Sequence, residues 1–293
     1  MTITLTRNNA KRMDRAPIKA QAGFDHWQAS LDLAYACAGG CTVPVRRAHS
    51  GPLRVQKHLY DEGPAVCQHI IVHPPGGIAG GDELRISVEV REGAHALITS
   101  PGAAKWYRSF GRTARQNLDV RVSGGVLEWL PQETMLFNGA EVAIENHFEL
   151  DANARLIAFD VVSLGRHAAG EKFSEGLWRQ KNEIRRDGRL IWHEQIVLPG
   201  GSELLDAAIG MGGDPVLGSL IWAGPALPAE ITSACRELDL PGRLAMTQLP
   251  DIWVARYLGA GVEEAQSALR KVWSLIRPAA LGREAVAPRI WAT

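Results

Sequence analysis

The chain has 293 residues, enough for one large domain or two small ones, and its 32 basic residues balance 32 acidic ones. This balance excludes the strong positive charge of proteins that bind nucleic acid or anionic membranes. No apolar run approaches the roughly 20 residues that cross a membrane, and four unevenly spaced cysteines do not make a disulfide framework. We therefore expect a cytoplasmic protein that has no nucleic-acid partner and no membrane segment.

The first residues carry several basic side chains and no apolar segment of the signal-peptide kind. We predict a flexible tail over residues 1–22. Beyond it we find no internal repeat, low-complexity segment or linker. The sequence therefore predicts one continuous domain over residues 23–293.

Apolar and polar residues alternate with a period of two from residue 27 to about residue 198, as in strands with one solvated face. The clearest example is LRISVEV at 84–90, and similar segments lie near 27–35, 117–123 and 142–150. Asp187-Gly188 separates two such segments and tolerates the positive φ angles of a tight hairpin. This part of the chain is predicted to be mainly β.

The C-terminal third contains two helical patterns. Residues 228–238 predict a short helix that begins after Pro228, and residues 262–277 place apolar side chains on one helical face. Proline removes a backbone donor, so we expect Pro278 to end the second helix. The overall prediction is a mainly β protein with about two α-helices near its C-terminus.

A glycine-rich segment, HPPGGIAGGD at 73–82, lies between two strand-like segments. Phosphate-binding loops open a helix and have a different glycine spacing, so nucleotide binding is not favoured. We expect a tight structural loop in which Gly76, Gly77, Gly80 and Gly81 allow two backbones to pass closely.

Histidine and cysteine spacing gives little sign of a metal site. His69 and His73 are four residues apart on a predicted strand, which separates their rings by about 13 Å. Cys37 and Cys41 have no second pair to complete a tetrahedral site. Continuing the alternation from Trp27 places Cys37 on the apolar face, where we expect it to pack as a small hydrophobic side chain.

Hydrolase signatures such as GxSxG and HExxH are missing from the sequence. Two of the acids Glu128, Glu133, Asp160 and Glu171 could still form a carboxylate pair. A carbohydrate-active hydrolase therefore stays open as an alternative to a non-enzymatic protein.

Four segments in order resemble the urease accessory protein family UreD, also called UreH. They are LYDEGPAVCQHIIVHPPGGIAGGDEL (59–84), TSPGAAKWYRS (99–109), LEWLPQETMLF (127–137) and FDVVSLGRHAAGE (159–171). The resemblance covers residues 25–200 well. His167 departs from it, since the family usually has an acid there.

The resemblance implies a β-helical or solenoid-like arrangement of layered sheets with about two helices. It implies an assembly factor without catalytic turnover that joins UreF and the GTPase UreG, docks on apo-urease and assists nickel insertion at the dinickel site. GTP hydrolysis would then belong to UreG, and the complex would be a symmetric hetero-oligomer. No tightly bound cofactor is expected, although nickel could bind transiently.

Weak, exchangeable oxygen ligands suit a metal in transit better than thiolates. Acids within the resembling segments are therefore candidates to line a nickel path. Asp160 is the most suggestive, because it interrupts the apolar run LIAFDVVSL. The metal-transit candidates are Glu62, Asp82, Glu128, Glu133, Asp160 and Glu171.

One short segment combines aromatic bulk with charge, as the anchor residues of protein interfaces do. The partner-interface candidates are Lys105, Trp106, Tyr107 and Arg108. For Trp106, packing under a loop is an equally good interpretation.

Overall fold

The computed structural model describes residues 26–292, which form two β-sheets and two α-helices. The predicted tail at 1–22 lies outside the described residues. In spatial order, the seven-stranded sheet contains β14 (Arg189–Pro199), β13 (Leu177–Arg186), β11 (Glu141–Leu150), β8 (Ala114–Val122), β5 (Glu83–Val90), β1 (Gln28–Ala38) and β2 (Cys41–Ser50).

The second sheet has ten strands in the described chain. Its main path is β16 (Arg243–Gln248), β17 (Ile252–Gly259), β15 (Val216–Ala223), β12 (Arg155–Leu164), β9 (Val126–Leu130), β6 (His95–Thr99), β4 (Val66–Val72) and β3 (Arg54–Val55). Two short strands, β7 (Ala104–Trp106) and β10 (Thr134–Leu136), pair with each other, and β10 also pairs with β12.

The long strands from β4 to β13 alternate between the two sheets, and their neighbours within each sheet run parallel. Antiparallel hairpins flank this parallel region of the seven-stranded sheet, β1–β2 on one side and β13–β14 on the other. Parallel strands need long connections between them, and here the connection is the strand of the opposite sheet.

The main core lies between the sheets and contains the alternating apolar residues predicted from the sequence. On β5, Leu84, Ile86, Val88 and Val90 are all buried. A second core lies on the other face of the ten-stranded sheet, against α1 (Ala229–Arg236) and α2 (Val262–Leu281). The structure therefore has three layers, and the mainly β, layered prediction with two helices is confirmed.

β12 belongs to the middle layer, which explains its apolar sequence. Leu156 and Ala158 enter the core between the sheets, whereas Ile157 and Phe159 enter the core beneath the helices. A strand that is covered on both faces excludes charged side chains unless a polar partner is supplied. Asp160 lies in the middle of this strand.

The hairpin predicted at Asp187-Gly188 is confirmed, with φ angles of 49° and 76° between β13 and β14. The predicted end of the second helix was wrong, since α2 continues through Pro278 to Leu281. Proline costs one hydrogen bond there, but Ala280 is buried and Gly282, with φ 66°, donates to the Pro278 carbonyl. Packing and the glycine cap therefore set the end of α2.

Cys37 is exposed, so the prediction that it packs on the apolar face was wrong. The alternate residues of β1 stay buried up to Tyr35, which pairs with Val90 at the end of β5, and Cys37 lies beyond that end. Trp27, just before the strand, is 53% exposed. No helix within residues 26–292 has the length and hydropathy needed to span a lipid bilayer.

Candidate functional site

A cavity of about 390 Å³ lies between the two sheets. Most of its walls are apolar side chains of both sheets, but one group of polar residues interrupts them. This group consists of Gln116, Asn146, Asp160, Asn182 and Ser219. Polar side chains in a core this apolar need partners, and they make the cavity suitable for water or a hydrated ion.

Asp160 on β12 is paired with Ser219 on β15, while Gln180 of the opposite sheet donates its side-chain amide to the Asp160 carboxyl. Burial, together with the charge of Glu194, outweighs the lowering effects of Gln180 and Arg256, and the pKa of the Asp160 carboxyl is raised to about 6. At pH 7 Asp160 therefore places a negative charge on the cavity wall.

The side chains around Asp160 form one hydrogen-bonded row across five strands. Asn146 donates to Asn182 at 2.8 Å, and Asn182 donates to Glu194 at 3.0 Å. Arg256 pairs with Glu194 and donates to the Ser219 hydroxyl at 2.7 Å. The row fixes these side chains, so the orientation of Asp160 is set before any ligand arrives.

A second polar group lies beneath α2 and contains two of the predicted acids. The Arg277 guanidinium donates to both oxygens of Glu62, at 2.7 and 2.9 Å, and to both oxygens of Glu128, at 2.9 and 3.0 Å. Trp273 and His95 complete the shell of Glu128, each at 2.7 Å. This arrangement uses every oxygen of the two carboxylates.

Burial alone would raise the pKa of the Glu128 carboxyl, but His95 and the Arg277 guanidinium outweigh it and lower the pKa to about 2. The side chains of Glu128 and Arg277 are 0% exposed, and that of Glu62 is 5% exposed. Glu128 is therefore ionised, and the side chains of both Glu62 and Glu128 are fully hydrogen-bonded and shielded from solvent. Through Arg277, they link α2 to the β part of the molecule.

The other three acids lie apart from both groups. Asp82 accepts the backbone N–H groups of Trp27 and Ala79, at 2.7 and 2.8 Å, as a turn carboxylate does. Glu133 accepts from Gln266 at 3.4 Å, and Glu171 pairs with Arg166 at 2.7 Å. Within residues 26–292, no three His, Cys, Asp or Glu side chains converge on one point where they could hold a metal. The metal-transit role of these acids stays a prediction.

The glycine-rich loop lies against the segment that contains β7. A Cβ atom on Gly80 would come within 2.3 Å of the Ser109 carbonyl, and one on Gly77 within 2.2 Å of the Tyr107 ring. Gly76 and Gly81 have φ angles of 82° and 94°. At Gly80 the backbone of the loop therefore lies directly against the backbone of Ser109.

This loop and β7 also form part of the cavity wall, at Gly76, Gly77 and Lys105. Lys105 is exposed, so the cavity reaches the surface here. Of the other interface candidates, Tyr107 is 38% exposed and Arg108 pairs with Glu175 at 2.7 Å. Trp106 is 1% exposed and packs in the main core, so its surface role would require the loop to move.

Sequence reasoning missed the partners that make these acids distinctive. They are Gln180, Asn182, Glu194 and Arg256 around Asp160, and His95, Trp273 and Arg277 around Glu128. The polar alternation of β13 is visible in the sequence, but nothing there indicates which strand it faces. Arg277 looks like an ordinary basic residue at the end of a helix.

Comparison with known proteins gives one consistent family. The family model described as "UreD urease accessory protein" matches residues 28–292. A "Urease accessory protein UreD" of Pseudomonas fluorescens is 54% identical over 278 residues, covering 94% of this chain and 99% of that protein.

Two further relatives carry the same name. One from Pseudomonas aeruginosa is 52% identical and covers 91% of this chain and 95% of its own length. One from Nitrosococcus oceani is 50% identical over 282 residues, covering 96% of this chain and 95% of that protein. At this identity and coverage, the chain belongs to the UreD family of urease accessory proteins.

Proposed function

We propose that this chain is a non-enzymatic scaffold that, with UreF and the GTPase UreG, docks on apo-urease and assists nickel insertion. Membership of the UreD family supports the general role in urease maturation. The observation that carries the finer proposal is the cavity between the sheets, which combines apolar walls with one oriented carboxylate at Asp160.

A nickel ion in the cell meets many competing thiol and imidazole ligands, and raw affinity discriminates poorly among divalent metals. An enclosed path solves this problem by restricting access. Its ligands have to release the ion again, and a single carboxylate surrounded by amides and a hydroxyl binds weakly enough to do so. Such a set of oxygen atoms is supplied from both cavity walls, by Asp160 and Ser219 of the ten-stranded sheet and by Asn146 and Asn182 of the seven-stranded sheet.

The test is co-purification of the full chain with UreF and apo-urease, followed by activation with nickel and bicarbonate. We expect Asp160→Ala to bind both partners but to lower the rate of activation by roughly 10-fold or more, since the ion loses the carboxylate that lines the cavity. Asp119→Ala is the matched control, because Asp119 lies on β8 with an exposed side chain.

Each outcome of this experiment has a definite meaning. Normal activation by the Asp160→Ala variant, in a complex that still contains UreF, rules out Asp160 as part of the nickel path. Failure of the unmodified chain to bind UreF or apo-urease contradicts the scaffold role itself. Glu171→Ala serves as a second variant, and we expect a smaller effect because Glu171 is occupied by Arg166.

The carbohydrate-hydrolase alternative receives no support from these positions. It requires two carboxyl groups that face each other across an open cleft. Glu62 and Glu128 are joined, but through one buried guanidinium and away from solvent. The relatives are also named as accessory proteins.

A further inference from the structure

Two histidines that the nickel-path proposal does not use face each other near the edge of the ten-stranded sheet. Leu59 and Gln68 form an isolated antiparallel bridge beside β4, and each donates its N–H to the other's carbonyl at 2.9 Å. One step along both chains places His58 opposite His69, on the same face of the sheet. Their ring centroids are 5.8 Å apart and the ring planes meet at 84°.

Each of these imidazoles has a nitrogen that is hidden from solvent and has no hydrogen-bond partner among residues 26–292. They are Nδ1 of His58 and Nε2 of His69. A buried nitrogen without a partner costs about 1–3 kcal/mol, so two of them in contacting rings require an explanation.

The remaining nitrogen of His69 has a firm partner that orients the ring. The Tyr35 hydroxyl lies 2.6 Å from Nδ1 of His69, and both residues are 0% exposed. Metal-bound histidines show this arrangement, in which one ring nitrogen is held by a neighbouring oxygen so that the other is aimed at the ion. When the N–H of Nδ1 donates to the Tyr35 oxygen, Nε2 of His69 carries the lone pair and is the available ligand atom.

The separation of the rings suits a shared ion. At metal–nitrogen distances of about 2.0–2.1 Å, two imidazoles on one ion have centroids roughly 5 to 6.5 Å apart. The observed 5.8 Å falls within this range. His58 is only partly buried, so an ion can enter from its side of the pair.

We propose that Nδ1 of His58 and Nε2 of His69 form a two-imidazole binding site for a divalent late first-row metal ion, with Ni²⁺ and Zn²⁺ as the ions to test. The site is separate from the Asp160 cavity and does not depend on the proposed function. Two protein ligands leave the remaining coordination positions to water, so the ion binds reversibly.

Two basic side chains near the rings oppose the binding of a cation. Arg47 and Lys57 act electrostatically on His58, and Arg47 also acts on His69. Their positive charges keep the affinity below that of a structural zinc site.

Cys67 lies on the same face of β4, two residues before His69, but it is not counted as a ligand. Its thiol is already engaged in a hydrogen bond with Tyr60. We therefore expect Cys67→Ala to bind metal as the unmodified chain does.

The test is calorimetric titration of the full chain, without an affinity tag, with Ni²⁺ and separately with Zn²⁺. We expect one reversible site that weakens by roughly 10-fold or more in His58→Asn and in His69→Asn. The control is His49→Asn, because His49 is exposed on β2 and its substitution leaves the site intact. Nickel-edge X-ray absorption of the loaded chain should show two imidazoles on the ion.

Unchanged affinity and stoichiometry in His58→Asn would overturn the proposal, and so would an absorption spectrum without imidazole scattering. His58 is partly exposed, so this variant remains informative even when His69→Asn fails to fold. Zn²⁺ binding without Ni²⁺ binding supports the site but separates it from nickel delivery. Failure of urease activation in the earlier experiment has no bearing on this result.

Discussion

At Gly80 the chain passes so close to the Ser109 backbone that no side chain fits between them. An added Cβ would lie 2.3 Å from the Ser109 carbonyl and 2.8 Å from its Cα. Both are backbone atoms, so the neighbouring segment has to move as a whole. The glycine is required by space rather than by its φ angle.

We predict that Gly80→Ala lowers the free energy of unfolding by about 1–3 kcal/mol, as overpacking does elsewhere. Urea denaturation of the purified chain measures this change. Gly102→Ala is the control, because a Cβ at Gly102 meets nothing within 4 Å. A Gly80→Ala protein as stable as the control would show that the passage is looser than described.

Asp160 should make stability depend on pH in a direction opposite to most carboxylates. Its pKa is about 6 in the folded chain, above the ordinary value near 3.8. Between about pH 4 and 6, Asp160 is ionised in the unfolded chain but still protonated in the folded chain, so the free energy of unfolding falls as the pH rises. Above about pH 6, Asp160 is ionised in both states and the loss of stability is complete.

Asp160→Asn removes this titration, and we expect the variant to be more stable at pH 7 by roughly 1–3 kcal/mol. The gain should shrink as pH falls through 6 and nearly vanish near pH 4. Thermal unfolding at several pH values measures it. A constant difference across this range would contradict the raised pKa, and a stable variant that fails in activation separates function from folding.

One side chain of helix α2, Arg277, makes two buried salt bridges to the β part of the molecule. Arg277 holds Glu62, from the segment before β4, and Glu128, from β9, while the apolar face of α2 covers the ten-stranded sheet. Removing the guanidinium would leave two buried carboxylates without their cation. The cost is then the desolvation of those charges, which exceeds the net value of the pair.

We predict that Arg277→Met destabilises the chain by about 3–5 kcal/mol. Lys271→Met is a matched control in the same helix, since Lys271 is exposed and its loss should change stability by no more than about 0.5 kcal/mol. Chemical denaturation followed by tryptophan fluorescence compares the two. Equal stabilities would show that the cluster contributes little.

Helices and strands could be predicted from the sequence where the local pattern of apolar and polar residues determines which side chains are buried. The alternation of β5 and the apolar face of α2 are of this kind, and both are confirmed. Pro278 was misread because its local effect is outweighed by the packing of Ala280 and the cap at Gly282. Cys37 was misread because the sequence of β1 does not show that the neighbouring strand β5 ends opposite Tyr35.

The candidate sites were much less predictable, because they join residues from distant parts of the chain. Asp160 drew attention as an acid in an apolar run, but its partner Gln180 lies on a strand of the opposite sheet. His58 and His69 face each other only because Leu59 pairs with Gln68. Strand register decides such contacts, and a single sequence carries little information about it.

The position of Arg277 also bears on how the protein is made. Its carboxylate partners precede it by 215 and 149 residues, so during synthesis the ribosome completes them long before their cation exists. If the strands of the nascent chain pair early, Glu62 and Glu128 either stay hydrated or are buried as two unpaired charges. We therefore expect folding to be completed only after the C-terminal segment has been synthesised. A chain that ends before residue 277 should fail to bury Glu62 and Glu128 as the full chain does.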